Sequence, residues 1–362
     1  MVESIEFKKY SNSRLVFLDF IRGIAALAVF FEHACDALWP EFRNFTHNSF
    51  SLGKFGVVIF FLTSGFIIPF SLERGGSAIR FWIGRFFRLY PLYWTSLAFF
   101  LTLYAIGLSS AVAEDFRANI VRNSLVNITM FQEFFGVQSA NGLYSTLSLE
   151  LLFYITCTIL FLFKLHRKSY LWAWVALGLT IIGSVLVPLE LGRRLPMAAI
   201  FYILSMFVGT VLYRYSLKVI TKRQVVQLLL AVCCVAAAGI YINYVLYKKA
   251  DSTELFTFPA VMAPWTTGYI FFLGVFTLRN RIFPQFFSWL GKISYSVYLM
   301  HPTLLILKPN FLPRPLSLAV MLAATLILAS ITFHFIEQPL IGFGRQLQKK
   351  IIAPDTRTSS YL

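Results

Sequence analysis

Stretches of about 20 mostly apolar residues recur from one end of this chain to the other, and they constrain its fold more than any other feature. One helical span across a hydrocarbon core of about 30 Å needs roughly 20 such residues. Of the 362 residues 58% are apolar and only 13% are charged, and one water-facing core cannot hide such a composition. The sequence therefore predicts an all-α fold, a polytopic integral membrane helical bundle.

The apolar stretches predict about ten transmembrane helices joined by short loops. They cover residues 15–39, 52–72, 89–109, 143–163, 170–188, 196–215, 224–246, 258–278, 288–307 and 315–337. The first stretch carries charged residues and no cleavage site follows it, so we expect it to be retained as a span rather than removed as a signal peptide. Residues 1–345 are predicted to form one transmembrane domain, and residues 346–362 a disordered cytoplasmic tail.

Basic residues are distributed unevenly between the two sets of alternate loops. The two terminal tails and the loops near residues 80, 165, 218 and 280 hold twenty Lys and Arg residues, against ten in the opposite set. The positive-inside rule then places both termini in the cytoplasm. The net charge of +16 is accounted for at the membrane surface, so no nucleic-acid partner is predicted.

The first predicted span carries four ionisable side chains, although a charge at the centre of a span costs about 2.5–3.5 kcal/mol. Arg22 and His33 are eleven residues apart, which is about 16 Å of helix rise and close to three full turns, so they share one face. Asp19 lies on the same face and can offset the charge of Arg22. Glu32 adjoins His33. Taken alone, Arg22 could be a snorkelling anchor and His33 a histidine bonded inside the bundle.

Two further sets of polar residues stand out. Arg85 and Arg88, at i and i+3 near the cytoplasmic surface, either bind a phosphorylated ligand or anchor the helix at the headgroups. Glu150 and Ser148 lie in the outer half of the predicted span 143–163, where a carboxylate ringed by hydroxyls indicates a cavity rather than a lipid-facing surface.

The remaining buried polar groups receive structural interpretations. The second span has a face of small residues that permits close helix packing. The four cysteines have neither metal-ligand nor disulfide spacing, so no metal site is predicted. Polar packing or a helix-end position is favoured over chemistry for His301, His334 and Glu337.

Six blocks of the sequence resemble, in the same order, those of the acyltransferase 3 family of membrane acyltransferases. They are LDFIRGIAALAVFFEH, FGVVIFFLTSGFII, RFFRLYPLYW, STLSLELLFY, ISYSVYLMHP and FIEQPL. The resemblance implies an O-acyltransferase that moves an acyl group, commonly acetyl, from cytoplasmic acyl-CoA to a hydroxyl of an extracytoplasmic or lipid-linked saccharide. It implies a bacterial inner (cytoplasmic) membrane protein whose partners are acyl-CoA, a saccharide or glycolipid and the bilayer, with no permanently bound cofactor.

The fourth block departs from the family pattern. The family usually reads Trp-Ser-Leu-Ser-Val-Glu-Glu-Gln-Phe-Tyr there, and this chain has Ser145 for the Trp, Leu151 for the second Glu and Leu152 for the Gln. Glu150 keeps the first carboxylate. These differences indicate an altered acceptor pocket or a donor other than acetyl-CoA.

The resemblance assigns roles to the polar residues. The family's essential histidine falls on His33 and its paired arginine on Arg22. The predicted catalytic residues are His33 and Glu150, and the predicted substrate-binding residues are Arg22, Arg85, Arg88, Asp19, Glu32 and Ser148. A transporter or flippase for a polar or lipid-linked solute, with Arg22 and His33 as a relay, is the alternative from another functional class.

Overall fold

The computed structural model describes residues 15–108, 114–192, 195–247, 256–309 and 311–351, and these residues form helices and no strands. The helices are α1 (Val16–Leu38), α2 (Pro40–Asn48), α3 (Leu52–Gly75), α4 (Ala78–Ala105), α5 (Glu114–Ala118), α6 (Ile120–Ile128), α7 (Tyr144–Leu162), α8 (Ser169–Ile181), α9 (Val187–Leu191), α10 (Met197–Ser216), α11 (Lys222–Tyr241), α12 (Phe258–Thr277), α13 (Gln285–Ile306), α14 (Arg314–Thr332) and α15 (Gln338–Ile351). Three π turns extend α8, α11 and α14, namely Ile182–Leu186, Ile242–Leu246 and Phe333–Glu337. The all-α prediction is confirmed.

Within the described residues, seven helical stretches are long and apolar enough to cross a membrane. They are Leu52–Gly75, Tyr144–Leu162, Leu165–Leu191, Met197–Ser216, Lys222–Leu246, Phe258–Thr277 and Arg314–Ile351. Each coincides with one of the ten predicted spans. The other three predictions fall on α1, α4 and α13, which have 23, 28 and 22 residues but carry more charged or polar side chains.

Glycines allow the central helices to approach closely. A Cβ atom at Gly65 of α3 would lie 1.9 Å from the carbonyl oxygen of Met206, and one at Gly209 of α10 would lie 2.2 Å from that of Leu62. Only glycine leaves room for two backbones at this crossing. Gly56 of α3 likewise faces the backbone of α1, since its Cβ would lie 2.7 Å from the Ala25 carbonyl oxygen. The predicted small-residue face therefore packs on both sides of α3.

A buried ion pair joins the ends of α3 and α10. The guanidinium of Arg214 donates to both carboxylate oxygens of Glu73, and Tyr213 donates to one of them over 3.0 Å. Arg214 also donates to the Ser169 hydroxyl and the His166 carbonyl, each over 3.1 Å. Arg214 is one of the twenty basic residues counted above, in the loop near residue 218. Its side chain is nevertheless only 3% exposed. Its charge is balanced inside the protein.

The last helix lies across the start of α4. The Gln348 side chain on Gln338–Ile351 donates to the Arg80 carbonyl over 2.6 Å. The helix therefore continues into the segment 346–362 that the sequence predicts to be a tail, and residues 352–362 lie outside the described part of the chain.

The substitution Gly65→Ala tests the crossing of α3 and α10. The added methyl carbon would lie 1.9 Å from the Met206 carbonyl oxygen, so the helices must move apart. We expect a loss of about 1–3 kcal/mol, the usual cost of overpacking a core. A lower midpoint of thermal unfolding in detergent, followed by fluorescence-detected size exclusion, would report this loss.

Gly178→Ala in α8 is the matched control, because a Cβ there has no described atom within 4 Å. Its midpoint should equal or slightly exceed that of the wild type, since alanine favours the helix over glycine. Equal midpoints for the two variants would contradict the close crossing.

Candidate functional site

A cavity of about 1280 Å³, here called the central cavity, lies among α1, α3, α4, α7, α13 and α15. Three acidic side chains line it, Asp19, Glu150 and Glu337. Seven cationic side chains also line it, namely Arg22, Arg74, Arg80, Arg85, Arg88, Lys292 and Arg345. The excess of cations favours an anionic ligand.

The lining of the cavity extends to the place where α3 ends and α4 begins. Arg74 and Arg345 are exposed there, whereas Arg22, Arg85 and Arg88 are half-buried. Except for Arg22, which lies within a predicted span, these arginines all belong to the loops and tail that the charge count places in the cytoplasm. The arginines that line the cavity therefore lie toward the more basic end of the bundle.

Three arginines predicted to bind substrate come together on this cavity. Arg22 projects from α1, and Arg85 and Arg88 project from α4. Among the residues that the structure describes, none of the three forms a salt bridge with a carboxylate. The Arg85 guanidinium lies over the ring of Phe81 at 5.2 Å and that of Tyr154 at 5.4 Å. These ring contacts hold it in place, and Glu150 is close enough to interact with its charge.

Glu150 lines the cavity, as its position in the sequence predicts. Its Oε1 accepts hydrogen bonds from the Ser64 hydroxyl over 2.7 Å and the Tyr154 hydroxyl over 2.9 Å. Asp19 lines the cavity too and lies close enough to Arg22 to interact with its charge, so the predicted Asp19–Arg22 face exists. These two carboxylates place negative charge on the wall of a cavity whose charged side chains are mostly cationic.

Glu337 is a third acidic residue on the cavity, and the sequence does not assign it to the site. It is only 1% exposed, its Oε2 accepts a hydrogen bond from Ser296 over 3.0 Å, and its charge lies within range of Arg22 and Arg88. The sequence favours polar packing or a helix end for Glu337, whereas the structure places it on the cavity wall, in the π turn after α14. In the sequence, Glu337 is marked by its position as an acidic residue at the end of an apolar stretch.

Glu32 and Ser148, both predicted to bind substrate, are not among the residues that line the cavity. The Glu32 carboxylate accepts from the Ser51 hydroxyl over 2.9 Å and the Gly53 amide over 2.8 Å, which caps the start of α3. Ser148 is buried and donates to the Met130 carbonyl over 2.7 Å. In the structure both side chains hold helices and loops together.

His33 is half-buried and does not line the cavity either. Its ring lies 5.6 Å from that of His301, and the His301 ring lies 6.1 Å from that of Tyr298. Tyr298 does line the cavity, where its hydroxyl bonds to the Thr146 hydroxyl over 2.7 Å. A series of ring contacts thus leads from the inner end of the cavity to His33.

Three relatives with known names are similar to the chain. A protein of Acidianus two-tailed virus, named as an acetyltransferase, is 23% identical over 292 residues, which are 78% of this chain and 80% of the viral protein. Nodulation protein 10 of Rhizobium leguminosarum bv. viciae is 26% identical over 165 residues, 39% of this chain and 43% of that protein. Protein 2 in the picA locus of Rhizobium radiobacter is 33% identical over 108 residues, 27% of this chain and 52% of that protein. The chain thus spans about half the length of each rhizobial relative.

No solved structure matches the chain. The family described as acyltransferase domain matches residues 15–334, which include α1, Arg85 and Arg88 of α4, and Glu150. This match covers most of the sequence, and seven described helices have the length and composition of membrane spans. The chain is a multi-pass membrane protein and belongs to the acyltransferase 3 family.

Proposed function

We propose that this protein is an O-acyltransferase that moves an acyl group, most commonly acetyl, from cytoplasmic acyl-CoA to a hydroxyl of an extracytoplasmic or lipid-linked saccharide. Membership of the family supports acyl transfer, and the name of the viral relative supports acetyl as the first acyl group to test. The cationic central cavity is the observation that supports acyl-CoA as the donor.

The cavity suits a large polyanion that carries an acyl group. Its volume of about 1280 Å³ exceeds the roughly 300–1,000 Å³ usual for drug-sized ligands. Seven cationic side chains line the cavity against three acidic ones, so an anionic ligand would offset the excess positive charge. Phosphate oxygens match the planar donor fork of arginine, so Arg22, Arg85 and Arg88 are suited to hold the phosphates of CoA.

The direction of transfer follows from the two ends of the site. The basic end faces the cytoplasm by the positive-inside rule, where acyl-CoA is found, and His33 lies about 16 Å of helix rise beyond Arg22. In a bacterium this orientation is that of an inner-membrane protein. A donor with its phosphates at the arginines then extends its thioester past Glu150 toward Tyr298 and His33.

Acyl transfer needs a group that accepts either the proton of the acceptor hydroxyl or the acyl group of the thioester. The acceptor oxygen bonds to the thioester carbon, the carbon–sulfur bond breaks, and the hydroxyl proton leaves with the CoA thiol. His33 either takes that proton as a general base or first accepts the acyl group and passes it on. Glu150 accepts hydrogen bonds from Ser64 and Tyr154, so its carboxylate is fixed on the wall of the cavity.

Mass spectrometry of surface glycans tests the proposed function. Deleting the gene should remove an acyl mass from one glycan, and restoring the gene should return it. A transporter would change the amount of a glycan on the surface and leave its mass unchanged. Identical glycan masses with and without the gene would overturn the proposal.

Arg85→Ala and Arg88→Ala should each weaken donor binding. A hydrogen bond to a charged group contributes about 1.5–3 kcal/mol, so the Kd for acetyl-CoA should rise about 10- to 100-fold. Retention of labelled acetyl-CoA by the purified protein in detergent measures this. Arg281→Ala is the control, because Arg281 is exposed on the same predicted side and does not line the cavity. Unchanged affinity in both test variants would make Arg85 and Arg88 membrane anchors.

His33→Ala should abolish transfer while it preserves donor binding, because the cationic groups of the cavity stay in place. Loss of a general base lowers the rate by about 100- to 10,000-fold, and loss of an acyl carrier should do no less. Transfer of label from acetyl-CoA to the glycan fraction of membranes measures the effect, with the amount of inserted protein matched to the wild type. Transfer at the wild-type rate would remove His33 from the chemistry.

A further inference from the structure

A second imidazole accompanies His33 at the inner end of the site. His301 lies on α13 with no exposed surface, and its ring is 5.6 Å from the His33 ring at an angle of 25°. The sequence favours polar packing or a helix end for His301. A lone buried histidine would fit that interpretation, whereas two adjacent imidazoles in an acyltransferase need another explanation.

One hydrogen bond fixes the tautomer of His301. Its Nδ1 lies 3.0 Å from the Val297 carbonyl oxygen, which can only accept, so Nδ1 carries the hydrogen. In the neutral ring Nε2 is then a hydrogen-bond acceptor. This atom is buried and has no partner among the described residues. A bond to such an atom is worth about 1–3 kcal/mol, so a hydroxyl that reaches Nε2 can be bound there.

His334 shows that the bond to the backbone does not by itself account for His301. Its Nδ1 makes the same contact with a carbonyl four residues earlier, that of Ser330, over 2.8 Å. His334 is exposed, so water can satisfy its other nitrogen. His301 differs in being fully buried and in facing His33.

The two rings are close enough for one hydroxyl to reach both of them. Their centres are 5.6 Å apart and their planes are inclined by only 25°, so the in-plane lone pair of His301 Nε2 points toward the edge of the pair rather than between the faces. A hydroxyl at that edge can donate to Nε2 over about 2.8 Å and lie near an acyl carbon bonded to His33. One proton needs only one base, so a base at His301 leaves His33 to receive the acyl group.

We propose that Nε2 of His301 binds the acceptor hydroxyl and takes its proton, while His33 carries the acyl group. This inference rests on the proposed function and selects one of its two routes. First, a nitrogen of His33 bonds to the thioester carbon, the carbon–sulfur bond breaks, and the ring proton of His33 leaves with the CoA thiol. Then the hydroxyl oxygen bonds to that carbon, the carbon–nitrogen bond breaks, and the hydroxyl proton passes to His301, which returns it to His33.

Two substitutions separate this role from a packing role. In His301→Asn the amide nitrogen takes the approximate place of Nδ1, which preserves the bond to Val297 and leaves no atom in place of Nε2. In His301→Gln the amide takes the approximate place of Nε2 and the bond to Val297 is lost. A chemical role predicts more residual transfer in the glutamine variant, and a packing role predicts more in the asparagine variant.

The experiment uses the purified protein in detergent, labelled acetyl-CoA, and the glycan fraction from cells that lack the gene. Without glycan, His301→Asn should release about one CoA thiol per protein in a rapid burst, as the wild type does. With glycan, its steady transfer should fall at least about 100-fold. His166→Asn, on the turn before α8, is the control and should show the wild-type burst and transfer.

Two results would overturn the inference. In the first, His301→Asn transfers label at the wild-type rate, so that Nε2 is not needed. In the second, the folded His301→Asn protein binds acetyl-CoA but loses burst and transfer together, which would place His301 in the acyl-accepting step. Failure of the proposed function is distinct, because the wild-type protein itself would then neither release CoA nor change the mass of the glycan.

Discussion

The cost of placing a charge in hydrocarbon governs the arrangement of this bundle. Insertion of one charged side chain at mid-span costs about 2.5–3.5 kcal/mol, so each must face protein or water. The helices with the most charged or polar side chains, α1, α4 and α13, line the central cavity together. Apolar side chains of other helices point outward instead, as Leu230, Ile270 and Ile327 do at 63%, 65% and 61% exposure. Helices α11, α12 and α14 thus present apolar side chains outward, whereas α1, α4 and α13 turn polar side chains toward the cavity.

Small residues make that arrangement possible. Helix α1 can lie at the centre because α13 approaches its backbone closely, and a Cβ at Gly291 would lie 1.9 Å from the Asp19 carbonyl oxygen. On the other side, Gly56 admits the backbone of α1 against α3. In lipid such contacts rely on packing rather than on exclusion of water. The polar face of α1 is therefore held in a fixed orientation toward α4 and α13.

The sequence predicts the membrane fold and part of the site because both depend on local periodicity. Arg22 and Asp19 share a helix face whatever surrounds it, and Arg85 and Arg88 are one turn apart. The contacts of Glu337 and His301 depend on helices that are distant in the chain, and one sequence carries no signal for which helices are neighbours. Glu337, for example, bonds to Ser296, 41 residues earlier.

Because the sequence does not show which helices are neighbours, it also gives some residues a role that differs from the one they have in the structure. Glu32 is polar and adjacent to His33, so the sequence groups it with the site, but its carboxylate reaches the start of α3. Arg214 falls near a predicted loop, yet Glu73 neutralises it inside the bundle. A polar residue within a span must have a partner, and the sequence does not say whether that partner is a ligand or another helix.

The cap that Glu32 places on α3 also fixes the part of α1 that carries His33. Because Glu32 is bonded to Ser51 and Gly53, its neighbour His33 cannot slide along the bilayer normal toward the arginines. The distance from the arginines to the imidazole is therefore set by the protein. Under the proposed function, a donor bound at the arginines would need a flexible arm long enough to cover that distance, so the length of the arm would be selected before the acyl group.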